Sequence, residues 1–63
     1  MTGRQIKSMR RKLNLTQTEL GERLGVTRVA VAYWESGRRT PRGPALLMLR
    51  EIEKKTKAVL TVA

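Results

Sequence analysis

The sequence contains no histidine and no cysteine, and its five acidic residues are all glutamates. General acid–base catalysis, nucleophilic triads and protein metal sites depend on residue types that are absent or scarce here. Without cysteine there is no disulfide framework, and no glycine-rich phosphate loop is present. We therefore expect a binding protein, not an enzyme, with no catalytic residues, no bound metal and no cofactor.

Long apolar runs are also missing from the chain. No stretch approaches the length that a membrane-spanning helix needs, and the N-terminus lacks the apolar segment of a signal peptide. We therefore expect no membrane contact and a cytoplasmic location. With 63 residues, the chain can form one domain with a small core.

The most abundant chemical feature is positive charge. There are 14 Lys+Arg residues against 5 Asp+Glu, which gives a formal net charge of +9. Such an excess attracts phosphate-bearing partners, although small basic proteins also exist without nucleic-acid function. Charge alone therefore does not decide the function.

Capping residues and apolar periodicity predict an all-α fold, a small bundle of four to five helices. Thr2 with Gln5 and Thr16 with Glu19 fit capping boxes, and Gly25 is a typical helix stop. The predicted helices run from the Thr2 cap to Asn14, from the Thr16 cap to Leu24, from the Thr27 cap to Ser36, and from Ala45 to about Lys55. The predicted core-facing residues are Ile6, Met9, Leu13, Leu20, Leu24, Thr27, Ala30, Val31, Trp34, Ala45, Met48, Leu49 and Ile52.

Residues 1–56 are predicted to form the domain, and residues 57–63 a C-terminal tail. The tail is rich in β-branched residues and lacks a clear helical pattern. It can be a frayed tail, a helix extension or a strand that pairs across a dimer, and we prefer the frayed tail.

The segment from Gln17 to Ser36 has the pattern of a helix-turn-helix. Two short helices flank Gly25, where a positive φ is expected, and Gly21 lies where the helices would cross most closely. On the second helix of this motif, the outer arc has no acidic residue and mixes a guanidinium, small apolar groups and a phenol. It consists of Arg28, Val29, Ala32, Tyr33 and Ser36. Arginine can bind guanine with two hydrogen bonds, and methyl groups can contact thymine, so this arc suits base edges in double-stranded DNA.

These motifs resemble the Cro/cI-type helix-turn-helix domains, also called the XRE family, and especially its short members among phage repressors and antitoxins. The resemblance covers roughly residues 3–53. The residues that carry it are Met9 and Arg10, Leu15 to Gly21, Leu24 to Thr27, and Trp34 to Pro41.

The position of the motif that the resemblance identifies, together with the outer arc of its second helix, implies roles for particular residues. The residues expected to contact bases are Thr27, Arg28, Val29, Ala32 and Tyr33. The residues expected to contact the DNA backbone are Gln17, Thr18, Ser36, Arg38, Arg39, Thr40 and Arg42. For Arg42 the minor groove is the alternative. Arg10 and Glu35 match a structural ion pair that ties the first helix to the third. Because Val29 offers only apolar contact, sequence preference is expected to depend mainly on Arg28 and Tyr33.

We therefore expect a sequence-specific regulator of transcription, a repressor that binds a palindromic operator as a homodimer. Helix four and the tail are the expected subunit contact, with Leu46 and Leu47 as exposed apolar candidates. The alternative is an antitoxin that neutralises a toxin partner and represses its own operon. The few residues beyond the predicted domain favour the first hypothesis.

Overall fold

A computed structural model describes the backbone of residues 1–61 and the side chains of residues 1–56. It confirms an all-α fold with four helices over the described residues. They are α1 (Gly3–Lys12), α2 (Gln17–Leu24), α3 (Arg28–Ser36) and α4 (Gly43–Thr61). None of these helices is long and apolar enough to cross a membrane.

Threonine caps begin the first three helices, as the sequence predicts. In α1 the Gln5 amide donates to Thr2 Oγ1 at 3.1 Å, and the Thr2 amide donates to Gln5 Oε1 at 2.8 Å. Thr16 and Glu19 form the same reciprocal pair in α2 at 3.1 and 2.8 Å. In α3 the Ala30 amide donates to Thr27 Oγ1 at 3.2 Å. The caps satisfy backbone amides that have no partner within the helix, so the three starting points are well defined.

One apolar cluster lies between the helices. Its buried members are Ile6, Met9, Leu20, Leu24, Val31, Trp34 and Leu49. Leu13, Ala30, Ala45 and Ile52 pack against this cluster with partial burial. The sequence therefore predicted most of the core correctly.

Two of the predicted core residues are exposed. Met48 is 41% exposed because α4 packs against α1 and α2 along the narrow stripe of Ala45, Leu49 and Ile52. Met48 lies beside that stripe. Thr27 is exposed because it is the cap of α3, with extended φ and ψ of −81° and 161°, so the angular step of a helix does not apply to it.

The preference for a frayed tail is also wrong for residues 57–61. Helix α4 continues to Thr61, which agrees with the helix-extension alternative. No glycine or proline follows Pro44, so no strong stop signal interrupts the helix. Residues 62 and 63 lie outside the described part of the chain.

The start of α1 is in close contact with the end of α3. A Cβ atom added at Gly3 would stand 2.6 Å from the carbonyl oxygen of Glu35 and would also meet the carbonyl oxygen of Trp34. Only glycine fits here without a backbone shift. This contact fixes the end of α3 against α1, and no pattern in the sequence predicted it.

Candidate nucleic-acid interface

The turn between α2 and α3 has the predicted geometry. Gly25 adopts a left-handed conformation with φ of 72°, and the Val26 amide donates to the Gly21 carbonyl at 2.9 Å. A Cβ atom at Gly21 would stand 2.7 Å from the Val26 carbonyl oxygen. The predicted close approach at Gly21 is therefore confirmed, and its neighbour is the turn at the entrance to α3. The turn sets α3 across α2 with one side facing outward.

The outward side of α3 carries the residues predicted for base contact. Arg28 and Val29 are exposed, Val29 by 47%, while Ala32 and Tyr33 are half-buried. Thr27 is exposed at the start of the same helix. The first turn of α3 contains no acidic residue. The result is an exposed face with one positive charge and several methyl groups, free of carboxylates that would repel a phosphate backbone.

The start of α2 lies next to this face. The first hydrogen bond of α2 runs from the Leu20 amide to the Thr16 carbonyl at 2.9 Å, so the amides of Gln17 and Thr18 lie ahead of it. Amides in this position can bind a phosphate oxygen, helped by the dipole of the helix. Thr18 is exposed and Gln17 is half-buried.

Arg10 and Glu35 form the expected ion pair between α1 and α3. Arg10 Nε and Nη2 donate to the two oxygens of Glu35 at 2.7 and 3.0 Å, and the side chains are 13% and 5% exposed. Arg10 Nη1 also donates to the Leu15 carbonyl at 2.9 Å. Burial by itself raises the pKa of Glu35, but hydrogen bonds from Arg10 and Gln17, with the nearby positive charges of Arg10 and Lys7, lower this pKa below its ordinary value. The carboxylate is therefore held in its charged form.

Gln17 connects this ion pair to the outer face of α3. Its Nε2 donates to Glu35 Oε1 at 3.2 Å, and its Oε1 accepts from Arg28 Nη1 at 3.5 Å. From the sequence, Gln17 was expected only at the DNA backbone. Its bonds to Glu35 and Arg28 join α2 to α3, and the second hydrogen on Nε2 is not used by them.

The end of α3 turns back on itself through Gly37, which has φ of 81°. The Gly37 amide donates to the Trp34 carbonyl at 3.2 Å, and the Arg38 amide donates to the Tyr33 carbonyl at 2.9 Å. This pair of bonds is a Schellman motif, and it satisfies carbonyls that the helix leaves open. Arg38 and Arg39 are thereby placed beside Tyr33, with their guanidinium carbons 5.7 and 5.8 Å from the centre of its ring.

The remaining residues predicted for backbone contact lie around the same end of α3. Ser36, Thr40 and Arg42 are exposed, and Ser36 Oγ donates to the Tyr33 carbonyl at 3.1 Å. One open groove brings together Ala30, Trp34, Arg38, Arg39, Thr40 and Arg42. Three arginines in one groove make a strongly positive surface next to the outer face of α3.

Two links in this surface were not found from the sequence. The bonds of Gln17 to Glu35 and Arg28 join residues 18 and 11 positions apart, and no local pattern signals such pairs. The contact of Tyr33 with the two arginines had a usable signal. A glycine stop at Gly37 predicts a Schellman motif. In this motif the amide of Arg38, directly after the glycine, bonds to the carbonyl of Tyr33, four positions before the glycine.

Comparisons with known proteins agree with this geometry. A family model described as helix-turn-helix matches residues 6–57. The chain is 39% identical over 49 residues to repressor protein C2 of Salmonella phage P22, and this match covers 78% of the chain but 23% of the relative. It is also similar to the crystal structure of the P22 c2 repressor in complex with a synthetic operator, with a TM-score of 0.75 and 38% identity, over 79% of this chain and 76% of that one.

Proposed function

Because this chain belongs to the Cro/cI-type (XRE) helix-turn-helix family, we propose that it is a repressor that binds a specific site in double-stranded DNA. The observation that carries the proposal is the outer side of α3. It is exposed, its first turn lacks acidic residues, and groups that can bind phosphate lie at both of its ends. A helix of this kind fits the major groove of DNA.

Arg28 is the principal base-reading residue in this proposal. It stands at the first position of α3, where recognition helices reach the base edges. Its guanidinium lies 3.5 Å from Gln17 Oε1, which holds it near the start of the helix, and it can donate two hydrogen bonds to a guanine. Val29 and Ala32 offer methyl groups to a thymine, and Thr27 lies exposed beside them.

The DNA backbone is held on both sides of α3. The amides of Gln17 and Thr18 at the start of α2 bind one stretch of phosphates. The residues that bind another stretch are Ser36, Arg38, Arg39, Thr40 and Arg42. These contacts position the helix and carry no sequence information themselves. Repression then follows from occupancy, since a bound protein excludes RNA polymerase from the same DNA.

We further propose that two copies bind one palindromic site. A single helix in the groove reads few base pairs, and two-fold dimers normally read two half-sites about 10–10.5 base pairs apart. Leu47 and Met48 on α4 are 66% and 41% exposed, and they supply an apolar contact for the second copy. Sedimentation of the protein with operator DNA should give two chains per duplex. Replacement of Leu47 by Lys should weaken this assembly, and one chain per duplex in the native protein would contradict it.

Selection of bound duplexes from a random pool tests the main proposal. We expect one sequence to be enriched at moderate ionic strength, with two related half-sites. Folded protein that enriches no sequence would contradict the proposal.

A further inference from the structure

We propose that Tyr33 is a positioning residue that holds Arg38 and Arg39 ready for the phosphates of DNA, and that it does not read a base. This inference rests on the proposed function and changes the role that the family resemblance implies for Tyr33. It identifies which part of the α3 surface gives affinity without sequence preference.

The backbone at the end of α3 brings Arg38 and Arg39 back to Tyr33. The amides of both Arg38 and Arg39 donate to the carbonyl oxygen of Tyr33, at 2.9 and 3.3 Å. Ser36 Oγ donates to the same oxygen at 3.1 Å. Two backbone hydrogen bonds therefore tie the arginines to the residue whose ring they contact, and Gly37 supplies the left-handed turn that this requires.

The side chains of Arg38 and Arg39 also contact Tyr33, at its ring. The guanidinium carbons of Arg38 and Arg39 lie 5.7 and 5.8 Å from the centre of the Tyr33 ring, within the range of a cation–π interaction. Tyr33 is half-buried although it lies on the outward arc of α3. With two arginines against it, the ring offers limited surface to a base.

The positive charges of Arg38 and Arg39 beside Tyr33 favour binding of an anion. Among the side chains that the structure describes, the ion pairs join Arg10 to Glu35 and Lys54 to Glu51. Arg38 and Arg39 belong to neither pair, so two positive charges are held close together without a carboxylate. Phosphate groups remove this repulsion when they bind.

Holding the arginines in advance favours binding for an entropic reason. An unrestrained arginine side chain loses conformational freedom when it binds a phosphate, and each side chain that becomes ordered on binding reduces the affinity. The ring of Tyr33 restricts both side chains before DNA arrives. Since phosphates occur in every sequence, the gain is the same on any duplex.

Two replacements at Tyr33 separate the ring from the hydroxyl. Tyr33→Phe keeps the aromatic face and removes the hydroxyl, whereas Tyr33→Leu keeps an apolar side chain and removes the face. We expect Tyr33→Phe to bind the selected duplex and a random duplex within about 2-fold of the native protein. We expect Tyr33→Leu to lose about 5- to 10-fold on both duplexes. Thermal melts establish that each variant is folded at the temperature of the binding measurement.

NMR of the free protein gives a readout that does not involve DNA. The ring of Tyr33 should shift the side-chain proton signals of Arg38 and Arg39 in the native protein and in Tyr33→Phe. These shifts should vanish in Tyr33→Leu. Identical arginine signals in all three proteins would overturn the inference.

The binding data can overturn it as well. If Tyr33→Phe loses as much affinity as Tyr33→Leu, and only on the selected duplex, the hydroxyl reads a base. If the native protein prefers no sequence, the proposed repressor function fails, and the role of Tyr33 is then judged from the random duplex and the NMR shifts. The two failures are therefore distinguishable.

Discussion

The arginines that contact α3 at two places differ in what surrounds them: Arg10 reaches it from α1, and Arg38 and Arg39 follow its end. Arg10 is paired with Glu35 at 2.7 and 3.0 Å, and these side chains are 13% and 5% exposed. Arg38 and Arg39 are exposed, lie against an aromatic ring and have no carboxylate partner among the described side chains. The difference shows how the same side chain can serve the fold or a ligand. A guanidinium with an internal counter-ion holds helices together, and one without it is available to phosphate.

The largest expected effect comes from removal of the internal counter-ion. Glu35→Ala leaves Arg10 buried without its partner, and breaking a buried pair in this way costs about 3–5 kcal/mol. The replacement also removes the carboxylate oxygen that accepts the hydrogen bond from the side-chain amide of Gln17. We expect denaturant titration to show that Glu35→Ala has lost most of its free energy of unfolding, because a domain of this size has only a few kcal/mol in total.

Glu51→Ala is the matched control for this change. Glu51 lies 3.8 Å from Lys54, and these side chains are 67% and 77% exposed. Exposed pairs contribute little, so the free energy of unfolding should change by less than about 0.5 kcal/mol. Similar losses in both variants would mean that burial does not distinguish the two kinds of ion pair.

A smaller loss is expected from Gly3→Ala, which tests how α1 holds the end of α3 that leads to Arg38. Helix propensity alone predicts a gain for this replacement, although less than the about 0.5–1 kcal/mol expected inside a helix, because Gly3 is the first residue of α1. The new methyl group would instead collide with the carbonyl oxygens of Trp34 and Glu35, so we expect a loss of about 1–3 kcal/mol. Thermal unfolding measures it, with Ser8→Ala on the exposed side of α1 as control. A higher melting temperature for Gly3→Ala would refute the close contact.

Acid should weaken the Arg10–Glu35 ion pair and lower the free energy of unfolding. The loss should be smaller than in Glu35→Ala, because a protonated carboxyl keeps its shape and some of its hydrogen bonds. The pKa of Glu35 is lowered in the folded protein from an ordinary value of 4.5. Its contribution to stability is therefore complete above pH 4.5 and is lost as the pH falls through the folded-state pKa. Denaturant titrations over this range should show a shallower loss for Glu35→Gln than for the native protein. Equal slopes would show that Glu35 has an unperturbed pKa.

Local signals in the sequence explain why the helix starts were predicted. Thr2, Thr16 and Thr27 act through bonds to amides three residues away, and such bonds depend on neighbouring residues alone. The stops at Gly25 and Gly37 follow from backbone geometry in the same way. The outward arc of α3 followed from helical periodicity, while the Arg10–Glu35 pair came from the family resemblance.

Apart from the close approach at Gly21, features that depend on contacts between distant parts of the chain were not predicted. The need for glycine at position 3 arises from the carbonyls of Trp34 and Glu35, which are distant in sequence. Met48 looked like a core residue because its spacing fits a broad apolar stripe, yet α4 uses a narrow one. Tyr33 was placed correctly on the outward arc, but its neighbours Arg38 and Arg39 come from the fold of the following turn. Its contact with a base, which the family resemblance implies, is the alternative that the Tyr33 variants test.

The most direct test of the account compares Arg28→Ala with Arg38→Ala, two exposed replacements that each remove one positive charge. The quantity to measure is the ratio of affinities for the selected duplex and a random duplex, with its salt dependence. We expect Arg28→Ala to lower the affinity for the selected duplex by about 1–3 kcal/mol and to reduce the ratio. Arg38→Ala should weaken both duplexes alike and reduce the salt slope by about one, leaving the ratio unchanged. Equal ratios in the two variants would contradict the division of α3 into a base-reading start and a phosphate-binding end.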